Sequence, residues 1–220
     1  MQPDIYIGNL RLAEPGIALT GLFIAALCGY AWWRLMRLTT PNLPQIWMRR
    51  FFGLMAISSM FGPLFGHLFY YWAGFPGKYV CWVFSILSLG ALAQAAIEHN
   101  RALLSPGTFR NLTLANWLAV AVALGISGIQ KNFHWVEAHS ALALLGFLAP
   151  LEYRVFKKRN DPGSRLLLWS LPLAVLAVIP HLVKWSPHVW FTYFDVGHVV
   201  LLGSLWCMLR GAEAIRVVAV

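Results

Sequence analysis

Apolar positions along this chain do not alternate with polar ones at the period of a strand or of a surface helix. They run on for about twenty residues at a time, the length that crosses a bilayer as a helix, and polar punctuation separates seven such runs. The first, about Pro15–Trp33, opens on a proline at its first turn, where a missing N–H costs nothing. Arg34, Arg37 and a Pro-containing loop up to Arg49 and Arg50 close it off. The second covers about Phe51–Trp72 and carries Ser58, Ser59, Pro63 and His67. A turn at Gly74–Gly77 leads to the third, about Tyr79–Ile97, which ends in Glu98, His99 and Arg101. The fourth, about Leu112–Ile129, has only Asn116 and Trp117 as features. The fifth opens in the polar cluster from Lys131 to Ser140 and continues to about Tyr153, before a basic loop from Arg154 to Arg165. The sixth is about Leu166–Val183, with Pro172, Pro180 and His181, and the seventh runs from about Trp190 to Arg210. The pattern predicts one all-α domain over residues 1–220, a bundle of seven transmembrane helices.

Composition excludes the soluble alternatives. Hydrophobic residues make up 59% of the chain and charged ones 11%, with a mean hydropathy of +0.64; a soluble domain carries about 25% charged residues. A formal charge of +9 would suggest nucleic acid in a soluble protein, but here the basic residues sit in short loops, so no nucleic acid is expected and the bilayer is the partner. Of the 17 Lys and Arg, all but Arg11, Lys78, Lys131 and Lys184 fall on one side of a seven-span topology. The positive-inside rule then places the N-terminus outside and the C-terminus in the cytoplasm, in a bacterial cytoplasmic membrane. Residues 1–13 lack the basic start and cleavage site of a signal peptide. Cys28, Cys81 and Cys207 are scattered within apolar runs and read as packing residues.

The seventh run carries the chemistry that most needs explaining. Asp195 and His198 stand inside it, three residues apart and so on one helical face. An Asp eight residues into a span has no cation at its depth, which leaves a metal, a histidine donor or protonation to relieve its charge. The other histidines gather on the same outer side: His67 in the second run, His134 and His139 opening the fifth, His181 closing the sixth, and His188. Those near helix ends are ordinary interface residues, and Glu137 has a salt bridge to Lys131 as its plain role. Ser58 and Ser59 have helix packing as theirs. His67 and His198 are deeper and flanked by apolar residues, which is where a site is expected.

A histidine in the outer part of span two, preceded by serines, together with an Asp/His pair early in span seven, resembles the CREST superfamily of alkaline ceramidases and adiponectin- and progestin-receptor proteins. Tyr193-Phe194-Asp195-Val196-Gly197-His198, Leu209-Arg210-Gly211-Ala212 and, near the start, Glu14-Pro15 and Leu19-Thr20 are also similar to an uncharacterised bacterial seven-helix family. The resemblance implies the fold and a zinc-dependent hydrolase of lipid amide or ester bonds. His67 and His198 would be metal ligands, with His181 or His139 as the third, Asp195 and Ser59 in catalytic roles, and a lipid as substrate. The chain departs from the superfamily at several places. Pro63 stands where a serine is expected, Leu202 where a second histidine of span seven is expected, and the third span holds no Asp. Two other classes fit the same residues. One is a haem b electron carrier with His67 and His198 as axial ligands. The other is an accessory subunit of a membrane complex whose histidines make interhelical hydrogen bonds.

Overall fold

The computed structural model describes residues 2–216. A short hairpin, β1 (Ile5–Ile7) against β2 (Leu10–Leu12), precedes the helices, turning at Gly8 with φ +61°, a conformation glycine adopts without a Cβ clash. Then follow α1 (Pro15–Met36), α2 (Leu43–Phe61), α3 (Tyr70–His99), α4 (Pro106–Gln130), α5 (His134–Ala141), α6 (Ala149–Arg159), α7 (Pro162–Val183) and α8 (Tyr193–Ala214). A π segment, Gly62–Leu68, continues α2, and a second, Leu142–Leu148, joins α5 to α6, so these eight α-helices make seven rods among the described residues. The fold is all-α apart from the hairpin. Five helices are long and apolar enough to cross a membrane: Pro15–Met36, Leu43–Leu68, Tyr70–His99, Pro106–Gln130 and Pro162–Val183. The other two rods match them in length but carry more polar residues.

Local chemistry sets the boundaries. Asn42 and Gln45 form a reciprocal capping box, each side chain accepting from the other's backbone N–H at 3.0 Å, so α2 starts at Leu43 and not near Phe51. Arg49 and Arg50 are therefore helical, not part of the preceding loop. Ser105 caps α4 through the Thr108 N–H, and Asp161 caps α7 through the Ser164 N–H at 2.8 Å. Inside α2, Pro63 has no N–H to give the Ser59 carbonyl, and the wider π turns begin there. The turn expected at Gly74–Gly77 is a single non-helical residue, Gly74 at φ 59°, which kinks α3.

The rods alternate in direction. One end, where α1, α3, α5 and α8 begin, holds the six histidines other than His99 and is called here the histidine end. The opposite end holds most of the arginines and is the basic end. Cross-links fix that alternation: Arg34 meets Glu213 at 2.7 Å, and Gln45 Nε2 donates to the Ala212 carbonyl at 3.1 Å, both at the basic end. Small residues set the helix spacing. A Cβ on Gly163 would lie 2.8 Å from the Gly211 carbonyl, so α7 and α8 meet backbone to backbone. Gly90 similarly admits Val120 of α4, and Asn116 donates to the Gly90 carbonyl at 3.0 Å. α3, rich in Ala and Gly, becomes the buried centre, with Phe52, Met48, Leu148 and Leu209 packed around it. The outward surface stays apolar: Ile129 is 84% and Leu182 73% exposed. Lipid is the solvent such a surface calls for.

Candidate functional site

At the histidine end three elements converge on Asp195, which is fully buried. Its Oδ2 accepts from the Thr192 backbone N–H at 2.7 Å, the Thr192 hydroxyl at 2.9 Å and Gln2 Nε2 at 2.7 Å. Its Oδ1 accepts from the Thr20 hydroxyl at 2.9 Å. Neutral donors thus satisfy the carboxylate, as a buried charge requires. The position differs from the sequence expectation. Pro187 and a bridge between His188 and Phe191 keep that stretch out of the helix, so α8 begins at Tyr193 and Asp195 is its third residue, not its eighth. Its first duty is local: it reaches back to the N–H of Thr192, the residue that precedes the helix.

Thr20 links Asp195 to His198. Its Oγ1 lies 2.9 Å from His198 Nδ1 as well as 2.9 Å from Asp195 Oδ1. A hydroxyl has one proton. An ionised carboxylate can only accept, and the charge-assisted bond is the stronger one, so the Thr20 proton points at Asp195. His198 Nδ1 must then carry its own proton and donate to Thr20. The ring is fixed as the Nδ1–H tautomer, and Nε2 keeps its lone pair, with no partner among the described residues.

His67 reaches the same state by a shorter route. Its Nδ1 lies 2.7 Å from Glu14 Oε2, and a carboxylate acceptor again fixes the Nδ1–H tautomer. This hydrogen bond holds the Glu14 carboxyl below its ordinary range, against the opposing pull of burial. Glu14 sits just before α1 at φ 48°, ψ 51°. The other left-handed non-glycine residues, Lys131, Asn160 and Lys184, all follow the C-termini of helices, where that conformation is common. Among the described residues Glu14 is the one that adopts it without ending a helix, a strain of about 1–3 kcal/mol of the kind that gathers at functional sites. The π turns present His67 toward α1, and Gly21 lets α1 close onto Pro63, whose Cγ would lie 2.5 Å from a Cβ there. The hairpin roofs this corner: Ala13 N–H donates to the Leu68 carbonyl, and Tyr71 donates to the Arg11 carbonyl at 3.1 Å. Beneath it lies a cavity of about 190 Å³ bounded by Gln2, Glu14, His67 and Tyr70.

The remaining sequence candidates stand apart. Phe194 lies between His67 and His181, with its ring centroid 6.2 Å from the first and 5.0 Å from the second. His181 instead faces Glu137 at 3.9 Å, and Glu137 is held by His134 at 2.6 Å rather than by Lys131. His139 is buried in α5 with Nδ1 unpartnered. Ser59 lies about two turns before His67, half-buried and without a hydrogen bond among the described residues, while Ser58 donates to the Cys81 carbonyl at 3.0 Å. Among the described residues no three His, Cys, Asp or Glu side chains converge as metal ligands. Two imidazoles, His67 and His198, are each oriented through Nδ1, and neither Nε2 has a hydrogen-bond partner among the described residues.

A second buried polar centre at the basic end has no counterpart in the sequence expectations. His99 Nδ1 lies 3.1 Å from Glu152 Oε2, which also accepts from the Ser164 hydroxyl at 2.6 Å. His99 Nε2 is 4.0 Å from Asp161 Oδ1, and Asp161 accepts from the Arg216 N–H at 3.0 Å. Asn100 donates across to the Leu151 carbonyl at 3.0 Å. Glu152 sits one turn ahead of a run of basic residues and reads as part of it; only its position inside an otherwise apolar run signals burial.

No curated protein and no solved structure matches the chain. Residues 17–217, which include every helix described above except the first turn of α1, match a family of unknown function (DUF6962), and the chain belongs to that family.

Proposed function

We propose that this chain spans the bacterial cytoplasmic membrane seven times, N-terminus outside and C-terminus in the cytoplasm, and hydrolyses an amide or ester bond of a membrane lipid at the outer end of the bundle. The orientation rests on the positive-inside rule and the arginines of the basic end. The activity rests on one observation above the others. Two imidazoles, His67 and His198, are each held at Nδ1 by a hydrogen bond that ends on a carboxylate, directly from Glu14 and through Thr20 from Asp195. That arrangement orients a metal-ligating histidine or a general base. The resemblance to the CREST superfamily points the same way.

His67 and His198 would hold the metal through Nε2, one protein ligand short of the three that a catalytic zinc takes. Zinc bound there would supply a Lewis acid and a water whose pKa falls to about 7. The chain's own residues do the rest. Glu14 and Asp195 hold the ring tautomers, Gln2 ties the hairpin to Asp195, and the hairpin shields the site from bulk water. The cavity of about 190 Å³ suits a scissile bond and its headgroup while the acyl chains stay in the bilayer. It is smaller than the roughly 300 Å³ at which ligand pockets begin, which favours a hydrolase over a haem carrier.

The test is the purified protein incubated with ceramide and with phospholipid, assayed for released fatty acid, with metal content and an absorbance spectrum in parallel. Parent activity that falls about 10²–10⁴-fold in His67→Ala and in His198→Ala is expected. Equal rates in parent and variants would overturn the proposal, and a Soret band would replace it with the haem alternative. A reporter at Gly74–Gly77 that is cytoplasmic would reverse the orientation.

A further inference from the structure

We propose that a cleft at the basic end binds one anionic phospholipid, its phosphate against Arg49 and Arg50 and one acyl chain between α1, α2, α3 and α4. The cleft measures about 620 Å³, and its walls are almost wholly apolar. Leu87, its deepest contact on α3, lies twelve residues before the end of that helix at His99. At 1.5 Å per residue that is about 18 Å, roughly the depth of one leaflet. An acyl chain is the apolar ligand of that length which a membrane supplies.

The mouth selects the headgroup. Arg34 pairs with Glu213 and Arg101 with Glu98, whereas neither Arg49 nor Arg50 has a carboxylate partner among the described residues. The Arg50 guanidinium stacks over the Trp47 ring at 4.2 Å, which orients its N–H edge and leaves its charge uncompensated. Two unpaired guanidinium groups above an apolar slot, at the level of Trp32 and Trp47, complement a phosphodiester with two acyl chains below it. A second copy of this chain docking by two-fold symmetry would set these arginines against their own kind, which disfavours that occupant.

Glycines make the slot. A Cβ on Gly53 would meet Trp32 Cδ1 at 3.0 Å, so its absence lets the indole pack against α2. A Cβ on Gly29 would meet nothing within 4 Å, because Gly29 faces the empty part of the cleft. Gly29→Leu therefore fills the slot without a clash against the helices.

The probe is phosphatidylglycerol against phosphatidylcholine of identical acyl chains, titrated onto the detergent-purified protein and followed by native mass spectrometry. The parent is expected to bind phosphatidylglycerol about fivefold to thirtyfold more tightly, the range that one or two arginines near a headgroup provide. Arg49→Gln with Arg50→Gln should abolish that preference while phosphatidylcholine binding persists, and Gly29→Leu should remove both lipids. Equal binding of the two lipids by the parent, or an unchanged preference in the double variant, would overturn the proposal. So would displacement of bound phosphatidylglycerol by millimolar inorganic phosphate, which would make the arginines an anion site with no acyl slot. Retained binding in folded Gly29→Leu would do the same. If Gly29→Leu does not fold, the arginine pair decides alone.

Discussion

Asp195 and Glu152 are equally hidden, at 0% and 1% exposure, but their surroundings differ in kind. Asp195 is satisfied by an amide, two hydroxyls and a backbone N–H, and through Thr20 it acts on a histidine whose other nitrogen remains available. Glu152 meets a histidine directly, but the second nitrogen of His99 is buried and unpartnered, with Asp161 too far for a hydrogen bond. Gln2 carries the first centre to the wall of a roofed cavity; the second ties together α3, α6 and α7, with His99 and Glu152 both buried. Burial of a carboxylate is therefore no marker of function in this molecule. What separates a site from a staple is whether the histidine it orients has a nitrogen left over that something else can reach.

The sharpest test of that distinction is Asp195→Asn. Three donors face the Oδ2 position, so the amide oxygen must take that place and the NH₂ must turn toward Thr20. Thr20 would then accept from the amide and donate to His198, which flips the ring to the Nε2–H tautomer and removes its free lone pair. Hydrolysis should fall by about 10²–10⁴-fold while stability to thermal unfolding changes little. Nitrogen-15 chemical shifts of His198 would show whether the flip occurs; an unchanged tautomer would sever the link between Asp195 and the site.

His99→Leu should do the reverse. It leaves Glu152 buried without its imidazole and should cost about 3–5 kcal/mol of stability, read from the unfolding midpoint in detergent, with the rate per folded molecule unchanged. A loss of rate without a loss of stability would make the basic end a site too. Glu14 then divides orientation from strain. Glu14→Gln and Glu14→Gly should both lower hydrolysis by roughly 10–100-fold. Glu14→Gly also relieves the left-handed backbone, so its melting temperature should match or exceed that of the parent. A smaller loss of stability than at His99 belongs to Thr20. Thr20→Val removes the relay hydroxyl and should lower stability by about 1.5–3 kcal/mol with a fall in rate, and Thr20→Ser should restore both. A serine variant as impaired as valine would mean that packing and not the hydroxyl is what Thr20 supplies.

The helical rods are legible as long apolar runs, although α2 and α3 begin at Leu43 and Tyr70 and not near Phe51 and Tyr79, and the histidine end is legible because its imidazoles share one side of the topology. The sequence places Asp195 deeper than it lies, because an apolar stretch before α8, Val189 to Phe191, has the same composition whether it is helical or a turn held by a β-bridge. The partners of Asp195 were harder still. Gln2 belongs to a segment too short to show periodicity, and Thr20 sits inside an ordinary apolar run. The likeness to a bacterial family covers Glu14-Pro15 and Leu19-Thr20 but implies no role for Glu14 or Thr20. The His99 centre was hidden because Glu152 and Asp161 flank a basic stretch, and only tertiary packing separates a solvated carboxylate from one shared by three helices.

The separation in sequence between Asp195 and its donors has a consequence for how the protein is made. α8 is the last of the described helices to leave the ribosome, and it arrives with only Thr192 to answer its carboxylate. The others, Thr20 and Gln2, lie 175 and 193 residues upstream. Until the first and last helices meet, the final hairpin presents an incompletely solvated charge at the membrane boundary, a state bilayers tolerate poorly. Closing the ring of helices removes that penalty in a single step. Joining α1 to α8 therefore satisfies Asp195 and orients the His198 ring in the same step.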